Sequence, residues 1–189
     1  PGIVPEGGNV EFRRMTIPPL KGLPSGCMDY VICFQVIEHI RDDFGTIAEI
    51  QRVLKPNGQL LISTPNKAMS LTRNPWHLRE YTVDEFKGLI GCYFDHFEAF
   101  GVYGNGKVMQ YYEENKRAVE RITRYDFLRL QYRLPAPLLR LPYDILNRIN
   151  RRRLLRNNDE LTTSICADDY YLKKADDQCF DLFFIATKQ

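Results

Sequence analysis

Two short stretches concentrate groups able to do chemistry at neutral pH. The first is Cys33-Phe34-Gln35 with Glu38-His39 just beyond it, and the second is Thr64-Pro65-Asn66. Each follows an apolar run that reads as a strand. In open α/β sheets the ligand crevice lies beyond the carboxyl ends of the strands, so polar groups after two adjacent parallel strands converge on one cleft. A histidine with an ordinary pKa near ~6.5 is suited to orienting or deprotonating a hydroxyl there. The competing assignment is structural: Glu38 and Asp42 cap the next helix and His39 packs under it. A third cluster, Trp76, His77, Arg79, Glu80 and Tyr81, falls in an expected loop, where binding residues concentrate. It either recognises an acceptor or forms a lid anchored by the sole tryptophan, with Arg79 and Glu80 paired on its surface.

The elements that must position these groups follow from the pattern. Residues 28–34 form a nearly continuous apolar run with β-branched members, as in a strand buried on both faces of a parallel sheet. Asp42 and Asp43 can cap a helix whose apolar positions Phe44, Ile47, Ile50 and Leu54 recur at helical spacing. Lys55-Pro56-Asn57-Gly58 ends it: the lysine favours the C-terminal dipole and Asn-Gly supplies a turn. A second buried strand spans 59–64, giving a βαβ unit with two parallel neighbours. Thr82-Val83-Asp84-Glu85 is a capping box that opens a helix to about Ile90. A further strand is expected over 94–102, with Gly101 to Gly106 breaking it. Residues 107–133 suggest a long helix, prolines 135, 137 and 142 interrupt the pattern, and a second basic helix runs over 143–155. Residues 180–187, FDLFFIAT, are a last strand that inserts into the existing sheet. Upstream, 1–9 read as loop, 10–15 as a short strand and 17–26 as a Pro-rich connection.

At 189 residues and 44% hydrophobic, the chain can bury a core, and its length suits one domain with an elaboration. The net charge of +2 hides an uneven distribution. Residues 116–156 hold twelve Lys/Arg against three acids, a surplus of nine positive charges. Such a bias points to an anionic partner or surface. Five cysteines without a C-x-x-C pair fit a reduced, cytoplasmic setting. No signal-peptide layout opens the chain, and no apolar run approaches the roughly 20 residues needed to span a bilayer.

The order FQVIEHI, Asp42-Asp43, RVLKPNG and LLISTPN closely resembles the second half of class I S-adenosylmethionine-dependent methyltransferases. The likeness extends to NPWHLREYTVDEF, similar to a segment of bacterial members acting on small or envelope-related substrates. The resemblance implies an α/β fold: a partial Rossmann-like methyltransferase sheet, strands three to seven, with a helical insertion before the last, antiparallel strand. It divides the chain into a methyltransferase part, 1–106 and 176–189, and a helical insertion or cap, 107–175. It implies S-adenosylmethionine as cofactor, bordered by Phe34 and Gln35, with Thr16 and the backbone of Ile17 near the adenine. His39 becomes the candidate catalytic group, and Glu38, Asn66, Trp76, His77, Glu80 and Tyr81 become acceptor-binding candidates. The family's glycine-rich turn and ribose-binding acid have no counterpart here. GVYGNG at 101–106 is read as a hinge, because it follows a late strand. Small-RNA 2′-O-methyltransferases of the same superfamily hold a divalent ion with an E-x-x-E-H pattern. This chain has Gln35 at the first position, and an amide is a poor ligand for a hard cation, so no metal is expected.

The expected function is methyl transfer to a small-molecule or carbohydrate- or lipid-linked acceptor. Two alternatives stay open: an RNA methyltransferase using the basic helical face, and a truncated, non-catalytic binding or oligomerising module. The basic excursion suits an anionic membrane surface at which the protein sits peripherally, a dimer contact or a solvated cap. DNA is not expected, because no recognised nucleic-acid motif accompanies the charge. Without the family's first strand, 28–34 has an unpaired apolar edge, and such edges associate. Something is therefore expected to cover it: an upstream segment, a second copy or a rearranged 10–15.

Overall fold

The computed structural model describes residues 10–124, 130–157 and 159–189. The chain builds a five-stranded sheet in the order β1-β2-β5-β3-β4. The strands are β1 (Met28–Phe34), β2 (Leu54–Pro65), β3 (His96–Gly104), β4 (Tyr170–Lys174) and β5 (Asp181–Thr187). β1 and β2 are parallel, β5 lies antiparallel between β2 and β3, and β4 is antiparallel to β3. The carboxyl ends of β1, β2 and β3 therefore share one rim with the start of β5, where Pro65 and Val102 both face Asp181.

Helix α1 (Asp43–Val53) links the two parallel strands. Asp42 caps it by accepting from the Gly45 amide at 2.8 Å. Its buried stripe is Asp43, Thr46, Ile47, Ile50 and Val53. Phe44 stays 49% exposed, so the inward face is rotated from the one the apolar spacing suggests. The helix end is met by Lys188, whose Nζ donates to the carbonyls of Gln51 and Leu54, both at 2.7 Å. Lys55 is turned instead to Asp29. The Lys-Pro-Asn-Gly segment lies within β2 as an irregularity, with Asn57 at φ 64°. Helix α2 (Val83–Gly91) opens on the expected capping box, Glu85 N–H to Thr82 Oγ1 at 3.3 Å and Thr82 N–H to Glu85 Oε2 at 2.8 Å.

The core lies on one face of the sheet. Leu60, Ile62, Leu182, Phe184 and Ala186 are fully buried there, with Ile47, Ile50, Phe86 and Ile90 of α1 and α2 against them. Phe86 meets Phe184 edge-on at 4.8 Å. Alternate residues point to the other face. There Tyr30, Ile32 and Phe34 are 64%, 64% and 45% exposed. The expected burial of β1 on both faces is therefore not found, because no described element packs over that side. Its outer edge is also bare among the described residues.

Three further expectations need correction. Residues 10–15 form no strand; they are largely exposed and have no sheet neighbour. The fifth strand is β4, which lies inside the stretch expected to be helical. β3 continues to Gly104 without a hinge at Gly101, where a Cβ would meet Cys179 Cβ at 2.4 Å. That glycine answers a packing need. Between β3 and β4 run α3 (Gly106–Thr123), α4 (Leu130–Arg133), α5 (Ala136–Asn157, with Pro142 inside it) and α6 (Asp159–Ser164). The excursion starts and ends at one point: Asn105 and Lys107 both bind the Asp169 carboxylate, at 2.6 and 3.0 Å.

Candidate functional site

The rim begins where β1 ends. Gln35 adopts φ 53°, a left-handed backbone that turns the chain sharply out of the strand. Its amide donates to the Ser63 carbonyl at 3.0 Å, and its side chain reaches Ser63 Oγ at 3.5 Å. Phe34 is left exposed, tilted against Phe183 with ring centres 5.8 Å apart. A 3₁₀ turn over Ile37–His39 then buries Glu38 and leaves His39 outside.

Glu38 does not cap α1. Its side chain is 1% exposed, and it accepts from Thr64 Oγ1 at 3.0 Å. Its carbonyl receives the Leu78 amide at 2.8 Å. One residue thus ties β2 to the 74–81 loop.

His39 and His77 stand edge to face with ring centres 4.9 Å apart. His39 Nδ1 is 2.9 Å from the Trp76 carbonyl oxygen. A carbonyl only accepts, so Nδ1 carries a proton, and in the neutral ring Nε2 then keeps the lone pair. That Nε2 lies 3.8 Å from Glu38 Oε1, a carboxylate that stabilises the ring once it is protonated. His77 is used differently. Its Nδ1 donates to Glu80 Oε1 at 2.7 Å, and its Nε2 accepts from Asn74 Nδ2 at 2.8 Å. Burial opposes the Glu80 charge, but the hydrogen bonds from His77 and Ser70 outweigh it and hold the carboxyl below its usual range.

The remaining candidates divide. Trp76 is exposed and donates through Nε1 to Asp144 of α5 at 3.0 Å, with Arg140 4.4 Å over its ring. Tyr81 is buried and donates to Asp43 at 2.8 Å; burial, with Asp43 beside it, pushes the phenol far up. Arg79 also pairs with Asp43, not with Glu80. Asn66 is 1% exposed and committed to the backbone, donating to the Cys179 carbonyl at 2.9 Å and accepting from the Ala68 amide at 3.1 Å. Thr16 and Ile17 are exposed. The chain just after them is tied to the second half of α1, through Leu20 N–H to Glu49 at 2.8 Å. That attachment lies toward the opposite end of β1 from Gln35.

Sequence reasoning missed Asp181. Burial pushes its carboxyl up, a hydrogen bond with Gln35 pulls it down, and nearby Glu38 pushes it up again; the net shift is upward. It became a rim residue only because β5 inserts beside β2. Asn74 was also missed, although its side chain both orients His77 and accepts the Trp76 amide at 3.0 Å.

Glu38, His39 and His77 can be considered as metal ligands, since one ligand atom from each lies within 4.8 Å of the others. Both ring nitrogens of His77 are already engaged, so an ion there must displace Asn74 or Glu80.

A cavity of about 310 Å³ adjoins the His77–Glu80 pair. It is walled by the 65–80 segment, α3 and α5, with Ser70, Tyr112, Asn115, Tyr143, Asn147 and Asn150 among its lining residues. A neighbouring cavity of about 340 Å³ shares the same pair and brings Lys67, Arg73 and Arg79.

Residues 3–62 match the family model described as a methyltransferase domain. That segment is similar to a methyltransferase domain over about a third of the chain. A Mycobacterium tuberculosis protein named "Probable S-adenosylmethionine-dependent methyltransferase" is 40% identical over 86 residues, which cover 43% of this chain and 31% of that protein. A ubiquinone biosynthesis O-methyltransferase of Hahella chejuensis is 38% identical over 61 residues, covering 32% of this chain and 26% of that enzyme. The chain thus spans about a third or less of these relatives. A solved S-adenosylmethionine-dependent methyltransferase from Thermotoga maritima superposes with a TM-score of 0.51 at 12% identity, over 89% of this chain and 59% of that one. At that identity the likeness concerns the methyltransferase fold alone.

Proposed function

We propose that this methyltransferase domain moves a methyl group from S-adenosylmethionine to a hydroxyl of a neutral, hydroxyl-rich acceptor, such as a carbohydrate or its lipid-linked form. The supporting observation is the placement of His39, whose Nδ1 is held by the Trp76 carbonyl while Nε2 lies at the rim 3.8 Å from the buried Glu38 carboxylate. The cofactor supplies an electrophilic methyl on a sulfonium, so the protein's tasks are alignment, exclusion of water and removal of one proton. Phe34, Gln35 and Asp181 would border the cofactor: an exposed aromatic face, a fixed amide and a carboxylate suit an uncharged ring and a cationic sulfur. The glycine-rich turn of the family is not among residues 10–189, so these groups form one side of a cofactor site.

The acceptor hydroxyl would give its proton to His39 Nε2, and Glu38 would stabilise the resulting imidazolium. His77 is a positioning residue, held by Asn74 and Glu80. The 310 Å³ cavity supports the acceptor class: among its described lining residues are asparagine, tyrosine, serine and threonine, no Lys or Arg, and one carboxylate already bound to His77. The helical excursion serves as its roof. The nucleic-acid alternative draws less support from this cavity, whose described lining carries no Lys or Arg.

The test is transfer of radiolabelled methyl from S-adenosylmethionine, by the protein extended upstream, to methyl α-glucopyranoside, glucose 6-phosphate and a short RNA. Preferential labelling of the neutral sugar is expected. Labelling of RNA or of the phosphorylated sugar alone would overturn the acceptor class.

A further inference from the structure

Helix α5 is built inside out. At 3.6 residues per turn, Leu138, Leu141, Ile145 and Ile149 fall within about 80° of arc. All four are exposed, at 64%, 70%, 49% and 57%. The opposite side of the helix carries Arg140, Tyr143, Asp144, Asn147 and Asn150. That polar side makes the contacts with the rest of the protein, although Asp144 and Asn147 are also exposed: Arg140 and Asp144 meet Trp76, Asn150 donates to Asn115 at 2.7 Å, and Tyr143 and Asn147 line the neutral cavity. A helix on a water-facing surface carries the reverse pattern, apolar inward and polar outward. The inversion leaves an ordered apolar stripe that water does not favour, and stripes of this kind mark interaction sites.

We propose that the outward face of α5 docks on an anionic lipid surface, with Leu138, Leu141, Ile145 and Ile149 entering the headgroup–acyl boundary. Charge selects this occupant. Residues 116–156 carry twelve basic and three acidic side chains. The described acid of α5, Asp144, is exposed but accepts from Trp76 Nε1, while Arg133, Arg148 and Arg152 are exposed. An apolar stripe flanked by arginines combines insertion with attraction to anionic headgroups. The helix lies on the surface and does not cross it, since no described helix is long and apolar enough to span a membrane. The docked helix would present the inner cavity to an acceptor held at that surface. This last point rests on the proposed acceptor site; the docking itself does not.

The test is co-sedimentation of the full chain with vesicles of phosphatidylcholine alone or of phosphatidylcholine with 30% phosphatidylglycerol, at low and high salt. The expected result is binding to the anionic vesicles, weakened at least tenfold by 0.5 M salt. Leu141→Glu/Ile145→Glu should lower binding at least tenfold with unchanged circular dichroism and Tm, because both side chains are exposed. Arg148→Glu/Arg152→Glu should also weaken it. No binding of the wild-type chain to anionic vesicles overturns the proposal. So does a dimer in sedimentation velocity that the Leu141→Glu/Ile145→Glu variant dissolves, which would assign the face to a second copy. Methyl transfer is not part of the readout, so loss of activity alone leaves the docking result intact.

Discussion

At the scale of single residues, two neighbouring histidines are held by different hydrogen bonds, and the proposed reaction gives them different work. His39 has one nitrogen fixed as a donor and the other free, whereas His77 has both engaged. Removing a general base typically costs 10²- to 10⁴-fold in rate. His39→Gln should therefore lower kcat at least about 100-fold in the upstream-extended protein. An unchanged kcat in the variant would transfer the role elsewhere. Asp181 makes a second prediction. Its carboxyl is raised in the folded chain, so the folded state holds a proton more tightly than the unfolded one. Stability contributed by this group therefore rises as pH falls through the raised value and is at its lowest near neutrality. Asp181→Asn should raise Tm at pH 7 by about 2–4 °C, the shift expected for ~1 kcal/mol in a chain of this size. The same change should weaken S-adenosylmethionine binding, a stability gain set against function. Thermal unfolding at pH 5 and pH 7 checks it: the gain should shrink at the lower pH. His39 was legible in the sequence because Glu-His after an apolar run is a local signal. Asp181 was not, because its neighbours Gln35 and Glu38 are about 145 residues away in sequence.

At the scale of elements, local signals translated well where the chain could satisfy them alone. The Asp42 cap, the Thr82–Glu85 box and the apolar run of β5 all formed as their residues suggest. The failures have one cause, reliance on a neighbour. Residues 10–15 have strand-like residues but no strand to pair with. β4 pairs with β3 through its backbone, yet all five of its side chains are exposed, so no burial pattern marked it. The end of α1 is neutralised by Lys188 from the far end of the chain, which spacing near Lys55 could not show. β1 poses the matching problem in reverse: among the described residues it is paired on one edge only, and Tyr30, Ile32 and Phe34 present apolar surface to water. Edges and faces of this kind associate. The 189-residue chain should therefore sediment as a concentration-dependent oligomer, and Ile32→Asp should shift it toward monomer while changing stability by less than ~0.5 kcal/mol, as surface substitutions usually do. A wild-type chain that stays monomeric at about 100 μM would remove this account of β1.

At the scale of the whole molecule, the sheet order β1-β2-β5-β3 and the antiparallel β5 bring three features to one side: the rim at Gln35 and Asp181, the His39–His77 pair, and the roof formed by α3 and α5. The excursion is clasped at its root through Asp169 and reaches back to Trp76, so the roof is tied at both ends. In the proposed methyltransferase reading, residues 28–66 would supply one wall of the cofactor site and the proton-accepting group. The most direct measurement is a pair of calorimetric titrations of S-adenosylmethionine, one into this 189-residue chain and one into a version extended upstream to include a glycine-rich turn. The account predicts saturable binding by the extended form, weakened at least tenfold by Phe34→Ala or Asp181→Ala, and much weaker binding by the shorter chain. Absence of binding from both forms, or binding by the extended form that neither substitution disturbs, would contradict it.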